Sequence, residues 1–345
     1  MKRITWVDFG KGITILFVVL VHVLDGMFKT PGYSNYNGIT KTSMAIIFTF
    51  IMPVFFALSG YLYHPKNGIK NYGRDILKKA INLLFPYMIF SVIYVMLQHV
   101  GNSVHDLYSW NSLLYIYKMP IGYLWFLYIL FLIFVLVGFF NLLHVNMYLQ
   151  GGIYLLLFFI SQFVNFPYFL AQTFTWTICF YMGYLINNIK IENKGKKILL
   201  IAFIVIFFIG IVQQYFAGGN WYRTNLLTKS NFLTKLTSIP LILYLFSRLP
   251  QNKLFKYFEK YGKYSLIIYL VHAPSTSIIR VILIKLGISN YFLLVFLITV
   301  ITWYVCLFVC LLAEKFTIFN FLFSPYKYLN FHNEASTDKV DSDMK

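Results

Sequence analysis

Charged residues are scarce: Asp, Glu, Lys and Arg make up 12% of the 345 residues, about half the ~25% of an average soluble domain. So little charge excludes a disordered chain and a coiled coil, and the spread of its 20 Gly and 10 Pro excludes collagen. Cysteine is nearly absent as well. Cys179, Cys306 and Cys310 each lie in an apolar run and none forms a C-x-x-C pair, which excludes a disulfide framework and argues against redox or zinc chemistry. Cys306 and Cys310, four apart on one helix face, read as packing residues. No H-x-x-x-H spacing occurs either, so no metal site is expected.

What fills the chain is apolar. With 59% hydrophobic residues and a mean hydropathy of +0.69, its main solvent is lipid. Stretches of about 17–25 apolar residues cross the ~30 Å hydrocarbon core, and they predict ten spans at 9–28, 44–63, 80–98, 121–141, 148–164, 168–187, 198–216, 232–249, 264–284 and 291–313. The expected fold is an all-α, polytopic integral membrane protein, with one domain over 1–313. An aromatic interfacial segment follows at 314–331, and then a polar, disordered tail at 332–345. The start, Met1-Lys2-Arg3 before an apolar run, lacks an A-x-A cleavage site and is expected to stay as the first helix. No internal repeat stands out.

Lys and Arg outnumber Asp and Glu by 29 to 11, an excess that on a soluble chain would suggest nucleic acid. Laid along ten spans, 21 of the 29 fall on the side of the N-terminus and eight on the other. The positive-inside rule then puts both termini in the cytoplasm of a cell-membrane protein and accounts for most of the basic charge without nucleic acid.

Ionisable groups within spans are the candidates for chemistry. His22 lies deep in the first span, and Lys11 precedes it by eleven positions. Eleven residues of α-helix rise ~16 Å and turn by a net ~20°, so the two side chains share one stripe. Asp8 reads either as a partner of Lys11 or as a helix N-terminus charge, and Asp25 either orients His22 or is solvated. His272 is the second buried histidine, with Pro274 placed to free a backbone carbonyl. His64, His99, His105, His144 and His332 fall at span ends or in loops. Ser59-Gly60 ends the second span, where small residues permit close helix approach. Arg74, Lys78 and Lys79, at the start of the third, read as solvated charge or as a phosphate cradle.

Together these residues resemble the membrane acyltransferase-3 family, whose members move acyl groups, most often acetyl, onto hydroxyls of cell-envelope carbohydrates. The resemblance rests on Lys11-x10-His22 with Asp8 and Gly12, on Phe55-Phe56-Ala57-Leu58-Ser59-Gly60-Tyr61, on Leu124-Trp125-Phe126-Leu127, on Tyr181-Met182-Gly183-Tyr184, and on Ser265 to His272. It spans residue 3 to about residue 313. It departs at one point: where family members carry a basic pair before the proline of the third span, this chain has Lys79 and Asn82, with Lys78 as the substitute.

The resemblance implies an acyl-CoA donor, acetyl-CoA foremost, and a glycan or lipid-linked sugar acceptor. Lys11, Arg74, Lys78 and Lys79 would hold the donor phosphates at the cytoplasmic mouth and His22 would act as general base, by direct transfer or through an acyl-histidine. Asp8, Ser59, Trp125 and His272 would support them. Tyr33, Tyr36, Tyr108, Trp110, Trp221 and Tyr222 in outward loops are available to stack on sugar rings, or form the aromatic belt. The rival reading is a secondary transporter or glycan flippase, with His22 and His272 as proton-relay groups. A third is a non-catalytic scaffold of a polysaccharide-synthesis complex.

Overall fold

A computed structural model describes residues 3–101, 107–190, 192–217, 221 and 226–329 of the protein, and contains helices and turns with no strand among those residues. His105, Tyr222, Arg223, His332 and the expected tail at 332–345 lie outside the described residues. The helices are α1 (Thr5–Phe28), α2 (Asn37–Tyr61), α3 (Ile69–Gly101), α4 (Trp125–Leu142), α5 (Met147–Phe163), α6 (Tyr168–Asn188), α7 (Asn193–Phe216), α8 (Phe232–Arg248), α9 (Lys253–Gly262), α10 (Ser265–Lys285), α11 (Tyr291–Lys315), α12 (Thr317–Phe323) and α13 (Tyr326–Leu329). Eight are long and apolar enough to cross a membrane, namely α1–α4, α6, α7, α10 and α11. With the 17-residue α5 and α8, they coincide with the ten spans expected from the sequence.

The ends follow local chemistry. Asn146, Asn252 and Asn290 cap α5, α9 and α11, each side chain accepting from a backbone N–H of the first turn at 2.8–3.0 Å. Gly287, at φ +83°, closes α10 in the left-handed conformation that a Cβ disfavours. Two helices outrun their expected spans. α3 begins at Ile69 rather than near 80, because its polar first turns need no hydrocarbon. α2 begins at Asn37 rather than 44.

The bundle is assembled around α1 and α2, the former packed against α2, α9, α10 and α11, the latter also against α6 and α8. α7 lies at the edge, mainly on α8. The tightest approaches are backbone to backbone. A Cβ on Gly12 would strike the Phe258 carbonyl, and one on Gly262 the Asp8 carbonyl. Gly60 and Gly183 play the same part between α2 and α6, against the carbonyls of Phe180 and Ala57. Helix association in lipid lacks the hydrophobic drive available in water, so packing of this kind carries much of it. The amphipathic α9, absent from the expected spans, lays Phe255 and Phe258 on Phe9 of α1. The aromatic segment after α11 folds back on α3, where Phe85 meets Phe321 and Phe90 meets Phe323.

The structure revises two of the basic residues that the sequence assigns to the outer loops. Lys235 lies within α8 and Arg280 within α10, and both are buried. They are intramembrane cations, not topology markers.

Gly183→Leu should lower the thermal unfolding midpoint of the detergent-solubilised protein, since overpacking costs about 1–3 kcal/mol or more. Gly152→Leu, on an open face of α5, should leave it unchanged. Equal midpoints for the two variants, followed by tryptophan fluorescence, would show that α2 and α6 do not depend on that contact.

Candidate functional site

Proline is absent from α1 between Thr5 and Phe28, so the helix holds Lys11 and His22 on one stripe ~16 Å apart. Each lines a cavity of its own. Lys11, half-buried, opens onto one of about 280 Å³ at the N-terminal end of α1, shared with Ser59, Tyr63, His64, Lys66 and Lys79. His22 lines another, of about 250 Å³, with Phe48, Met52, Tyr123, Trp125 and Tyr269, whose mouth carries Asp25 and Lys29. The two cavities have no lining residue in common. Between them in helix register stands a layer of aromatic rings. Phe126 packs on Phe55 at 5.6 Å and on Phe56 at 4.8 Å between centroids, and Phe56 stacks on Trp176 at 5.2 Å.

The Lys11 cavity is cationic, with one carboxylate to offset it. Asp75 Oδ2 takes the Lys79 ammonium at 2.6 Å, and the same ammonium lies 4.5 Å from the centre of the Phe134 ring. Burial foremost, and then the nearby Asp75 charge, push the Tyr63 phenol up, which keeps it a neutral hydrogen-bond donor in the wall. Ser59 donates to the Phe55 carbonyl at 3.1 Å, a bond within its own helix.

The other expected residues are more dispersed. Arg74 and Lys78 are exposed and line neither cavity. Lys78 instead lies 5.3 Å from the Tyr326 ring, while Asn82, the departure from the family pattern, accepts the Tyr326 N–H at 3.3 Å. Asp8 sits in the first turn of α1, 3.7 Å from Arg3. His64 and Lys66 join Lys11 and Lys79, which the sequence did not foretell. Tyr36 stacks on Tyr291 at 4.4 Å and Trp110 on His99 at 4.7 Å, neither of them at the His22 cavity.

At His22 the structure joins what 250 positions separate. The His272 ring lies 4.9 Å from it, centroid to centroid, tilted by 58°. His272 is fully buried, with Nδ1 2.6 Å from the Tyr269 carbonyl oxygen. A carbonyl only accepts, so Nδ1 carries the proton. Nε2 is left buried without a hydrogen-bond partner. The expectation that Pro274 frees a carbonyl holds: Leu270, four residues before it, accepts the Tyr123 hydroxyl at 2.6 Å. Tyr269 returns a hydroxyl to the Tyr123 carbonyl. α10 and the start of α4 are thus bonded to each other directly beside the two imidazoles.

Tyr123 and Arg280 were not among the candidate site residues read from the sequence, and Tyr269 entered only within the Ser265 to His272 segment. Tyr123 gives no signal among 28 tyrosines. Arg280 does, as a cation inside a span. Its guanidinium lies against Gly26, where any Cβ would displace it, and Asp25 is its neighbouring carboxylate. Asp25 also pairs with Lys29 at 3.2 Å, so the mouth of the His22 cavity is ringed by charge. Among the described residues, no group of three His, Cys, Asp or Glu is placed to hold a metal ion.

A family profile described as an acyltransferase domain, that of the acyltransferase-3 family, matches residues 4–311. No curated protein and no solved structure matches the chain. The matched segment runs from the entrance of α1 into the last turns of α11 and takes in both cavities, His22 and His272. The chain therefore belongs to the acyltransferase-3 family, and is a multi-pass membrane acyltransferase.

Proposed function

We propose that the protein transfers an acyl group, acetyl foremost, from cytoplasmic acyl-CoA to a hydroxyl of a cell-surface or extracellular carbohydrate. The observation that carries this reading is the pairing of two cavities on one unbroken helix, cationic around Lys11 and histidine-lined around His22. Coenzyme A is anionic at its phosphates and reactive at the end of a long flexible arm. Lys11, Lys66 and Lys79 suit the first requirement through charge-assisted contacts, and a reach of ~16 Å suits the second. Membership of an acyltransferase family favours transfer over the transport reading of the same histidines.

In the proposed reaction, the His22 ring turns to bring one N–H onto the bare Nε2 of His272, which fixes its tautomer and leaves its other nitrogen to act as base. The acceptor oxygen attacks the thioester carbonyl while its proton passes to His22. The tetrahedral adduct then breaks its C–S bond, and the imidazolium returns the proton to the departing thiolate. The products are an O-acyl sugar and free coenzyme A. Trp125 offers a face on which a sugar can stack, and Asp25 and Lys29 offer hydrogen-bond partners to its hydroxyls. The rings of Phe55, Phe56 and Phe126 must part for the thioester to arrive.

His22→Gln keeps polar contacts but cannot take a proton at neutral pH. It should lower acyl transfer by about 10²–10⁴-fold, the share of a positioned proton acceptor, with coenzyme A binding and protein level unchanged. Near-normal transfer to envelope glycans, followed as ester content, would remove His22 from the mechanism.

Lys11→Ala should weaken coenzyme A binding by about tenfold to a hundredfold, as expected for loss of a hydrogen bond to a charged group. Lys11→Arg should retain most of it. Unchanged calorimetric affinity in the Ala variant would move the donor away from this cavity.

From the charge distribution we further propose that both termini lie on the cytoplasmic side of the cell membrane. Reporter fusions after Lys70, Glu192 and Phe255 should all register as cytoplasmic, and an external signal from any one of them would mean that a span is misplaced.

A further inference from the structure

Lys235 is the most deeply buried charged side chain that the mechanism leaves unused. Its exposure is 0%, in the first turn of α8, a helix packed against α2, α6 and α7. A lysine at such a place is costly and survives only where something compensates it. Its ammonium donates to the Phe48 carbonyl of α2 at 3.1 Å and lies 5.5 Å from the centre of the Trp176 ring.

Both contacts lead to the His22 cavity. Pro53 lies inside α2 and has no N–H, so the Thr49 carbonyl loses its helical donor and the turn before the proline opens. α8 reaches that part of α2 through Lys235, which donates to the Phe48 carbonyl one residue before the opened one, while the Ser238 hydroxyl donates to the Lys235 carbonyl of its own helix at 2.6 Å and stands 3.4 Å from the Thr49 carbonyl. On the same turns of α2, Phe48, Ile51 and Met52 form the cavity wall. The second contact runs through rings, as Trp176 packs on Trp125 at 5.7 Å and Trp125 lines the same cavity. Lys235 thus stands behind two walls of the cavity without reaching its interior.

We infer that Lys235 is a positioning residue for the His22 cavity, holding the Phe48 turn of α2 and the Trp176–Trp125 stack in place from behind. Charge alone would not require this geometry. A lysine kept only for topology would reach toward water, whereas this one is spent on a carbonyl of the helix that walls the cavity. The inference concerns the shape of the cavity and stands independently of the acceptor it takes.

The test places a reporter thiol on the wall. Met52→Cys is introduced in the full-length, detergent-purified protein, whose three native cysteines are buried. The reporter's rate of reaction with a small methanethiosulfonate reagent is then measured. Met52 is 8% exposed, so the parent should react slowly. Adding Lys235→Met should raise the rate at least fivefold, while a thiol at position 66, in the other cavity, keeps its rate. Adding Lys235→Gln, which retains a donor, should restore most of the parent rate. Equal rates in the parent and in Lys235→Met, or the same acceleration by Met and Gln, would overturn the inference. If Lys235→Met fails to fold alone, Lys235→Gln in the Met52→Cys protein provides the second measurement: its labelling rate should stay within twofold of the parent rate, and an acceleration of fivefold or more would overturn the inference.

Discussion

A backbone carbonyl in hydrocarbon has no water to turn to, and the His22 side of this molecule is organised around that fact. Prolines at positions 53 and 274 each remove an N–H from a membrane helix, and both helices wall the same cavity. In α10 the freed Leu270 carbonyl takes Tyr123. In α2, one residue before the opened carbonyl of Thr49, Phe48 takes Lys235 of α8. Each bond ties one segment to another directionally, which apolar packing cannot do. The cavity therefore has fixed walls in a medium that offers little other means of fixing them.

The helix bearing His22 is treated in the opposite way. α1 contains no proline and is packed on several sides, with Gly12 seated on α9 so closely that backbone meets backbone. Its stiffness sets the spacing between Lys11 and His22, and its neighbours set what surrounds each. A bent α1 would change the distance between the cavities, whereas bends in α2 and α10 change only their outline. The distribution of prolines thus separates the element that measures from the elements that enclose.

Much of this was legible in the sequence because hydrocarbon thickness imposes a length that can be counted. The ten helical stretches, eight of them long and apolar enough to cross a membrane, the stripe shared by Lys11 and His22, and the carbonyl freed by Pro274 follow from spacing alone. Pairings between distant helices do not. Nothing local to His22 or His272 states that their rings lie 4.9 Å apart, because helix order in a bundle is set by the sum of many small contacts. Lys235 and Arg280 were visible as cations and were misassigned to outer loops, since a charge near a span end reads as topology until its partner is known. The basic cluster at the start of α3 shows the same limit. Four residues separate Arg74 and Lys78, so they occupy neighbouring positions on α3, yet of that cluster only Lys79, with its rotation toward α4, meets Lys11.

If the proposed reaction runs from one face of the membrane to the other, the aromatic layer between the cavities is what lets it do so without a leak. A continuous polar path from the Lys11 cavity to the His22 mouth would carry protons and ions as readily as substrate. Phe55, Phe56 and Phe126 replace that path with packed rings, which exclude water at rest and are held at their rims by Trp125 and Trp176. On the proposed reaction, only the slender arm of the donor has to pass them. The phosphates stay with the lysines on one side and the sugar stays at the charged mouth on the other. What crosses is then the smallest and least polar fragment of either substrate, the acyl group itself. Its transfer needs the rings to part by about the width of an alkyl chain and no more.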